Sequence, residues 1–278
     1  MTKKENRTEA RRFPPGASAD LILRGGKVIT VDPRKPAVQA VAIKNGRFLM
    51  AGSDSEVRAL SGRSTEVIDL KGRTVTPGLI DSHQHLFEYG TNLLQLDCSP
   101  KKCRSIADLK RSVLKETLRR APGEWIRGVG YDDTKTTDLR PLNRWDLDEI
   151  APNHPVFIQQ VSGHWAVVNS RALKTGGVQE NTPDPKGGSY GRDPQTGRLN
   201  GTLYEQAEFA FVYEGTTGQP PIMPPFSLKE RIKGVRLASD RYVAAGLTSV
   251  NDALTSAQTI ETYQEALKSG DLKVRVYM

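Results

Sequence analysis

Between Ala19 and Val75 the apolar residues come in short runs separated by tight-turn pairs. Leu21-Ile22-Leu23 and Val28-Ile29-Thr30-Val31 flank Gly25-Gly26, while Val41-Ala42-Ile43 and Phe48-Leu49-Met50 flank Asn45-Gly46. Asn-Gly favours the positive φ angles of a type I′ hairpin. Val67-Ile68-Asp69-Leu70 then runs through Lys71-Gly72 into Thr74-Val75. The pattern predicts a small β unit over residues 19–75, with exposed edges and too little core to stand comfortably alone.

Past Val75 the rhythm changes to strands alternating with helices. Leu79-Ile80 opens a strand that ends near His85. Ser105 and Asp108 form a capping-box pattern for a helix with Leu109, Val113 and Leu118 on one face, stopped by Pro122-Gly123. Trp125 to Tyr131 and Pro155 to Ile158 read as the next strands. Ser227 and Glu230 cap a second helix, with Ile232, Val235 and Tyr242 inward and Gly246 at its end. Leu247 to Val250 is a strand, Thr259 to Lys268 a helix with Ile260, Tyr263 and Leu267 in register, and Val274 to Tyr277 a last strand.

Such alternation argues for parallel βαβ units in an α/β fold. Five strands follow residue 75, and the chain stops inside the fifth. A (β/α)8 TIM-type barrel needs about 250 residues, more than remain, so residues 76–278 are expected to hold the first five strands of an incomplete barrel. A smaller open sheet is the plainer alternative. The Gly- and Pro-rich stretch at about 175–205 reads as a β-hairpin arm laid over a pocket.

Composition narrows the function classes. The 278 residues carry 40 Lys+Arg against 32 Asp+Glu, a net charge of +8. Part of that excess lies in residues 1–18, expected to form a solvated, disordered basic tail; no apolar stretch follows it, so a secretory signal is not expected. The remaining charge is spread out and accompanied by no nucleic-acid-binding motif. No apolar run approaches the roughly 18–20 residues that span a bilayer. Nucleic acid and membrane are therefore not expected partners. The two cysteines, Cys98 and Cys103, are too few for a disulfide framework and lack zinc-finger spacing. Free thiols in a reduced, cytoplasmic setting are expected.

The sharpest chemistry lies in Asp81-Ser82-His83-Gln84-His85, at the end of an apolar strand. Alternating side chains place Asp81, His83 and His85 on one face. Two imidazoles so spaced can chelate one divalent cation, and a nearby carboxylate can orient a ligand through its free ring N–H. A chance HxH on a surface strand is the alternative.

Pro77-Gly78-Leu79-Ile80-Asp81-Ser82-His83-Gln84-His85, after the β unit ending Asp69-Leu70-Lys71-Gly72, resembles the amidohydrolase superfamily of metal-dependent hydrolases, and within it the amidohydrolase-3, YtcJ-like group. Ser162-Gly163-His164-Trp165 leading to Val168-Asn169-Ser170-Arg171-Ala172-Leu173 agrees with this, as do Gly201-Thr202-Leu203-Tyr204-Glu205 and Gly246 to Asp252. The resemblance implies a β/α barrel with one or two metal ions, usually zinc, and a β-sandwich built partly from residues 19–75. It implies hydrolysis of a non-peptide carbon–nitrogen bond in a small amide-type substrate, with His83 and His85 as metal ligands. The family's further histidines and its late aspartate base are expected beyond residue 278, so the chain reads as C-terminally truncated.

Other positions keep two readings. His164 follows a strand end and either faces substrate, with a catalytic role, or packs. Glu205 either replaces a bridging modified lysine as a metal ligand or sits solvated in the first turn of a helix. Asp252 is either a supporting catalytic group or a helix N-cap. Asn251 stands where relatives often carry histidine, and His154 reads as structural or exposed. A homodimer is an admitted assembly. The competing functional class is a non-catalytic binding or scaffold module on the same fold.

Overall fold

The computed structural model describes residues 18–138, 140–213 and 219–278, so the expected tail, apart from Ser18, lies outside the described residues. The chain divides into two compact units, Met1–Leu79 and Ile80–Met278.

The first unit contains β1 (Leu21–Arg24), β2 (Lys27–Ile29), β3 (Ala37–Val38), β4 (Ala40–Lys44), β5 (Arg47–Gly52), α1 (Asp54–Arg58), β6 (Glu66–Asp69) and β7 (Thr74–Val75). They form one sheet in the order β5-β4-β1-β6 and another in the order β3-β2-β7. Asn45 and Gly46 join β4 to β5 with φ of 50° and 69°, as the hairpin pattern predicts. Strand alternation lets β4 serve two cores at once: Ala40 and Ala42 pack with Ile22 and Val57, while Val41 packs with Val28 and Leu70. Val31 is no strand residue. It adopts φ of 60° and is 74% exposed, at a turn where the Thr30 hydroxyl accepts from the Asp32 N–H.

The second unit begins one residue into β8 (Leu79–Gln84), followed by α2 (Leu86–Asn92), β9 (Leu96–Asp97), α3 (Ile106–Thr117), β10 (Ile126–Tyr131), α4 (Arg144–Asp148) and β11 (Val156–Gln160). It continues through β12 (Trp165–Val168), α5 (Ser170–Thr175), β13 (Gly188–Arg192), β14 (Leu199–Glu205) and α6 (Gln206–Val212). α7 (Leu228–Ala244), β15 (Leu247–Asp252), α8 (Ala257–Lys268) and β16 (Arg275–Tyr277) complete it.

The strands expected to follow one another in a barrel wall divide between two sheets. One is six-stranded, β13-β14-β12-β11-β10-β9, and the other three-stranded, β16-β15-β8. In the first, β9, β10 and β11 run parallel, and β12, β14 and β13 continue it antiparallel. The expectation that β15 follows β11 fails because β12 takes the edge of β11, whereas β15 pairs beside β8. The Ala253 N–H donates to Gln84 O at 2.9 Å and Asn251 Nδ2 to Ser82 O at 3.1 Å, so residue numbers rise together along β8 and β15. Among the described residues no sheet closes on itself. Within the glycine-rich stretch β13 and β14 pair as an antiparallel hairpin, and β14 also joins the sheet through β12.

Helix signals and helix faces fare differently. Both capping boxes form, Ser105 with Asp108 and Ser227 with Glu230. Leu109 and Val113 are buried, but Leu118 lies at the C-cap of α3, where it is 82% exposed. In α8 the buried stripe is Thr259, Thr262, Tyr263 and Ala266, leaving Ile260 and Leu267 outward. The stripe tolerates Thr262 because its hydroxyl donates to Gln258 O, satisfying itself on its own helix.

Candidate active site

β8 carries the Asp81–His85 motif to its end, with His85 as the N-cap of α2. The Asp81 carboxylate accepts from the His83 N–H and from Gln84 Nε2, pinning the turn from inside. The His83 and His85 rings stand with centroids 5.3 Å apart and planes at 86°. Behind them Asp252, at the end of β15, is 2% exposed, with Oδ1 3.9 Å from His85 Nδ1. Its other oxygen, Oδ2, accepts from the Phe87 N–H at 3.4 Å and from the Tyr263 hydroxyl. The N-cap reading of Asp252 is thereby redirected. Its own downstream helix is capped by Ser256, and the amide it accepts belongs to the first turn of α2, brought near by the β8–β15 pairing.

A second pair forms on the six-stranded sheet. His164 Nδ1 lies 3.2 Å from Glu205 Oε2, and the Glu205 N–H donates to His164 O at 2.9 Å. Glu205 is the last residue of β14 and the N-cap of α6, with φ 50° and ψ −117°. This is an elbow in a region that side chains other than glycine's rarely occupy, and such strain concentrates at functional sites. The fold accommodates it through Gly188 on β13, where a Cβ would stand 2.6 Å from Tyr204 O and 2.7 Å from the Gln206 and Ala207 nitrogens. Of the expected metal ligands, His83 and His85 thus stand together, whereas Glu205 pairs with His164, the residue expected to be catalytic. The other histidine has a structural place: His154 is 4% exposed, with Nδ1 3.1 Å from Glu124 O. Asn251 ties β15 to β8. Cys98 and Cys103 are free and buried.

Sequence reading missed Glu208. It is fully buried on α6, with Oε1 accepting from Gln159 Nε2 at 2.8 Å and Oε2 without a partner among the described residues. Burial pushes its carboxyl up to about 7; the Gln159 bond and His164 oppose this, while Glu205 and Glu88 add to it. The available signal was an acid on the apolar stripe of Ala207 and Phe211.

The amidohydrolase family matches residues 66–278. The chain belongs to that family. The N-substituted formamide deformylase of Arthrobacter pascens is 32% identical over 256 residues, 91% of this chain and 46% of that protein. YtcJ of Bacillus subtilis is 33% identical over 256 residues, 91% of this chain and 44% of its own length. The crystal structure of an uncharacterized metal-dependent hydrolase from Pyrococcus furiosus aligns with a TM-score of 0.67 at 26% identity, covering 92% of this chain and 49% of that one. The chain spans slightly less than half the length of these relatives.

Against that family's metal dependence, the β8 pair fits as two nitrogen donors of the kind divalent transition ions take. The buried Asp252 oxygen beside His85 is the carboxylate such ligands commonly lean on. Among the described residues, however, no group of three or more His, Cys, Asp and Glu is arranged to hold an ion. Two cavities, of about 330 and 570 Å³, are lined by other residues than these. No helix among the described residues is long and apolar enough to cross a membrane.

Proposed function

We propose that this chain supplies the first metal-binding strand and a supporting acid–base pair of a hydrolase acting on non-peptide carbon–nitrogen bonds in small amides. The observation that carries the reading is the HxH pair at the end of β8, backed by a buried carboxylate. The relative named N-substituted formamide deformylase supports an amide, and within amides a formamide, as substrate. His83 and His85 are the proposed ligands, with zinc the metal, one ion or two. Glu205 is the proposed carboxylate donor, held on its elbow. A bound divalent ion supplies Lewis acidity towards the carbonyl and lowers the pKa of water from 15.7 towards ~7. His164, hydrogen-bonded to Glu205, is the proposed holder of a proton for the departing nitrogen. Asp252 orients His85.

The fold reading belongs with this proposal. β8, β15 and β16, with α2, α7 and α8, are proposed as opening β/α units of a TIM-type barrel, the six-stranded sheet lying between the first two in sequence. The two N-terminal sheets are proposed as the β-sandwich. The second reading is a non-catalytic binding module on the same fold, and turnover by the metal-loaded protein separates the two.

The test is metal content by inductively coupled plasma mass spectrometry, comparing the purified chain with the His83→Ala/His85→Ala double variant. Bound zinc that disappears in the variant is expected, together with amine release from N-substituted formamides by the metal-loaded protein. Equal metal content in the two proteins removes these histidines from the centre. Metal binding without turnover favours the binding module.

A further inference from the structure

We propose that Tyr263 is a positioning residue, acting through Asp252 to hold the His85 imidazole with its proton on Nδ1 and its Nε2 free to bind a cation. The inference rests on the reading of His85 as a metal ligand and deepens it. Spacing marks Tyr263 only as an apolar-face residue of α8, far along the chain from His85.

Three contacts build the relay. The Tyr263 hydroxyl donates to Asp252 Oδ2, and the Phe87 N–H donates to the same oxygen from the first turn of α2. Asp252, with its side chain 1% exposed, is thus held from two helices while β15 fixes its backbone beside β8. That leaves Oδ1, which is buried, without a hydrogen-bond partner among the described residues and 3.9 Å from His85 Nδ1. His85 Nδ1 is likewise buried and without such a partner.

The two atoms are complementary only in one tautomer. A carboxylate accepts and cannot donate, so Nδ1 must carry the hydrogen if each is to satisfy the other. The His85 side chain is 43% exposed although Nδ1 is buried, so its exposed part is the opposite side of the ring, which carries Nε2. A neutral imidazole protonated at Nδ1 presents its lone pair at Nε2.

Tyr263 keeps the carboxylate in this role. Burial, and then the Asp252 carboxylate itself, pushes its hydroxyl far above the ordinary phenol range, so it remains a donor at every working pH. Without that donor, Oδ2 keeps only the 3.4 Å amide contact, and the carboxylate can rotate away from His85.

The experiment reads the tautomer directly and needs no metal. With four histidines in the chain, ¹⁵N-histidine labelling and long-range ¹H–¹⁵N correlation at about pH 8, where an ordinary imidazole is neutral, give a resolvable spectrum. His85→Gln assigns the signal. The wild-type chain is expected to show His85 protonated mainly on Nδ1. Asp252→Asn is expected to move the population towards Nε2–H, and the milder Tyr263→Phe to move it part of the way. Zinc titration against a chromophoric chelator is expected to show affinity lowered about tenfold or more in both.

A His85 signal already protonated on Nε2 in the wild type, or unchanged in Tyr263→Phe, overturns the relay. Because Tyr263→Phe removes one oxygen atom, its folded state, checked by circular dichroism, keeps the test decisive even if Asp252→Asn does not fold. If the tautomers shift as expected while the wild type binds no zinc, the relay stands and the metal reading fails.

Discussion

Glu208 shows how burial changes what a side chain means. Its folded pKa, near 7, lies above the unfolded carboxyl value of about 4.5, so the native state binds the proton more tightly than the unfolded state does. Its contribution is most favourable below the unfolded pKa and declines as pH rises from about 4.5 to 7. Glu208→Gln keeps a neutral polar group at the same place. In urea unfolding the variant is expected to differ little from wild type near pH 5 and to exceed it by ~2–3 kcal/mol at pH 8. A stability difference that stays constant across pH contradicts a raised Glu208 pKa. The same reasoning explains why sequence reading reached His83 and His85 but not Glu208. Histidine spacing along one strand is visible in a string of letters, whereas the loss of solvent around one glutamate among many depends on what packs over it.

At the scale of elements, local signals were legible and faces only in part: Leu109 and Val113 of α3 and Val235 and Tyr242 of α7 are buried as their spacing predicts. Caps and the Asn45-Gly46 turn are decided within a few residues by backbone hydrogen bonding and φ preference. They formed where the pattern placed them. On α8 periodicity marks Ile260, Tyr263 and Leu267, of which packing buries only Tyr263, in a stripe with two threonines. The Glu205 elbow was illegible too. No local preference favours a glutamate at φ 50°; the conformation persists because β14 and α6 impose it and Gly188 leaves room.

Strain of this kind costs on the order of 1 kcal/mol or more. The exposed Glu205–His164 pair returns little stability, since such pairs contribute ~0–1 kcal/mol. Glu205→Gly is therefore expected to raise stability by about 1 kcal/mol in urea unfolding while abolishing any contribution of this carboxylate to metal affinity. A loss of stability instead shows that the elbow is unstrained.

For the whole molecule the consequential feature is the division of strands between sheets. β8 lies at one edge of its three-stranded sheet and presents Leu79 and Ile80, 57% and 72% exposed. An apolar, unpaired strand edge templates association. Light scattering is expected to detect self-association growing with concentration, and Ile80→Lys is expected to reduce it while changing stability by less than about 0.5 kcal/mol. Unchanged scattering places the sticky surface elsewhere.

The sequence by itself determined the short-strand unit at the start, the caps, the HxH pair at a strand end and, through ordered motifs, the amidohydrolase family. Each is written in neighbouring residues or in a fixed spacing. Only the tertiary structure decided that β15 lies beside β8 rather than β11, that β14 extends the six-stranded sheet, and that Asp252 serves α2 and His85 while Tyr263 holds it from behind. Those outcomes depend on which distant segments compete for the same strand edges and the same buried donors. That competition is settled by packing and hydrogen-bond satisfaction across more than a hundred residues of chain, a range over which no local pattern carries information.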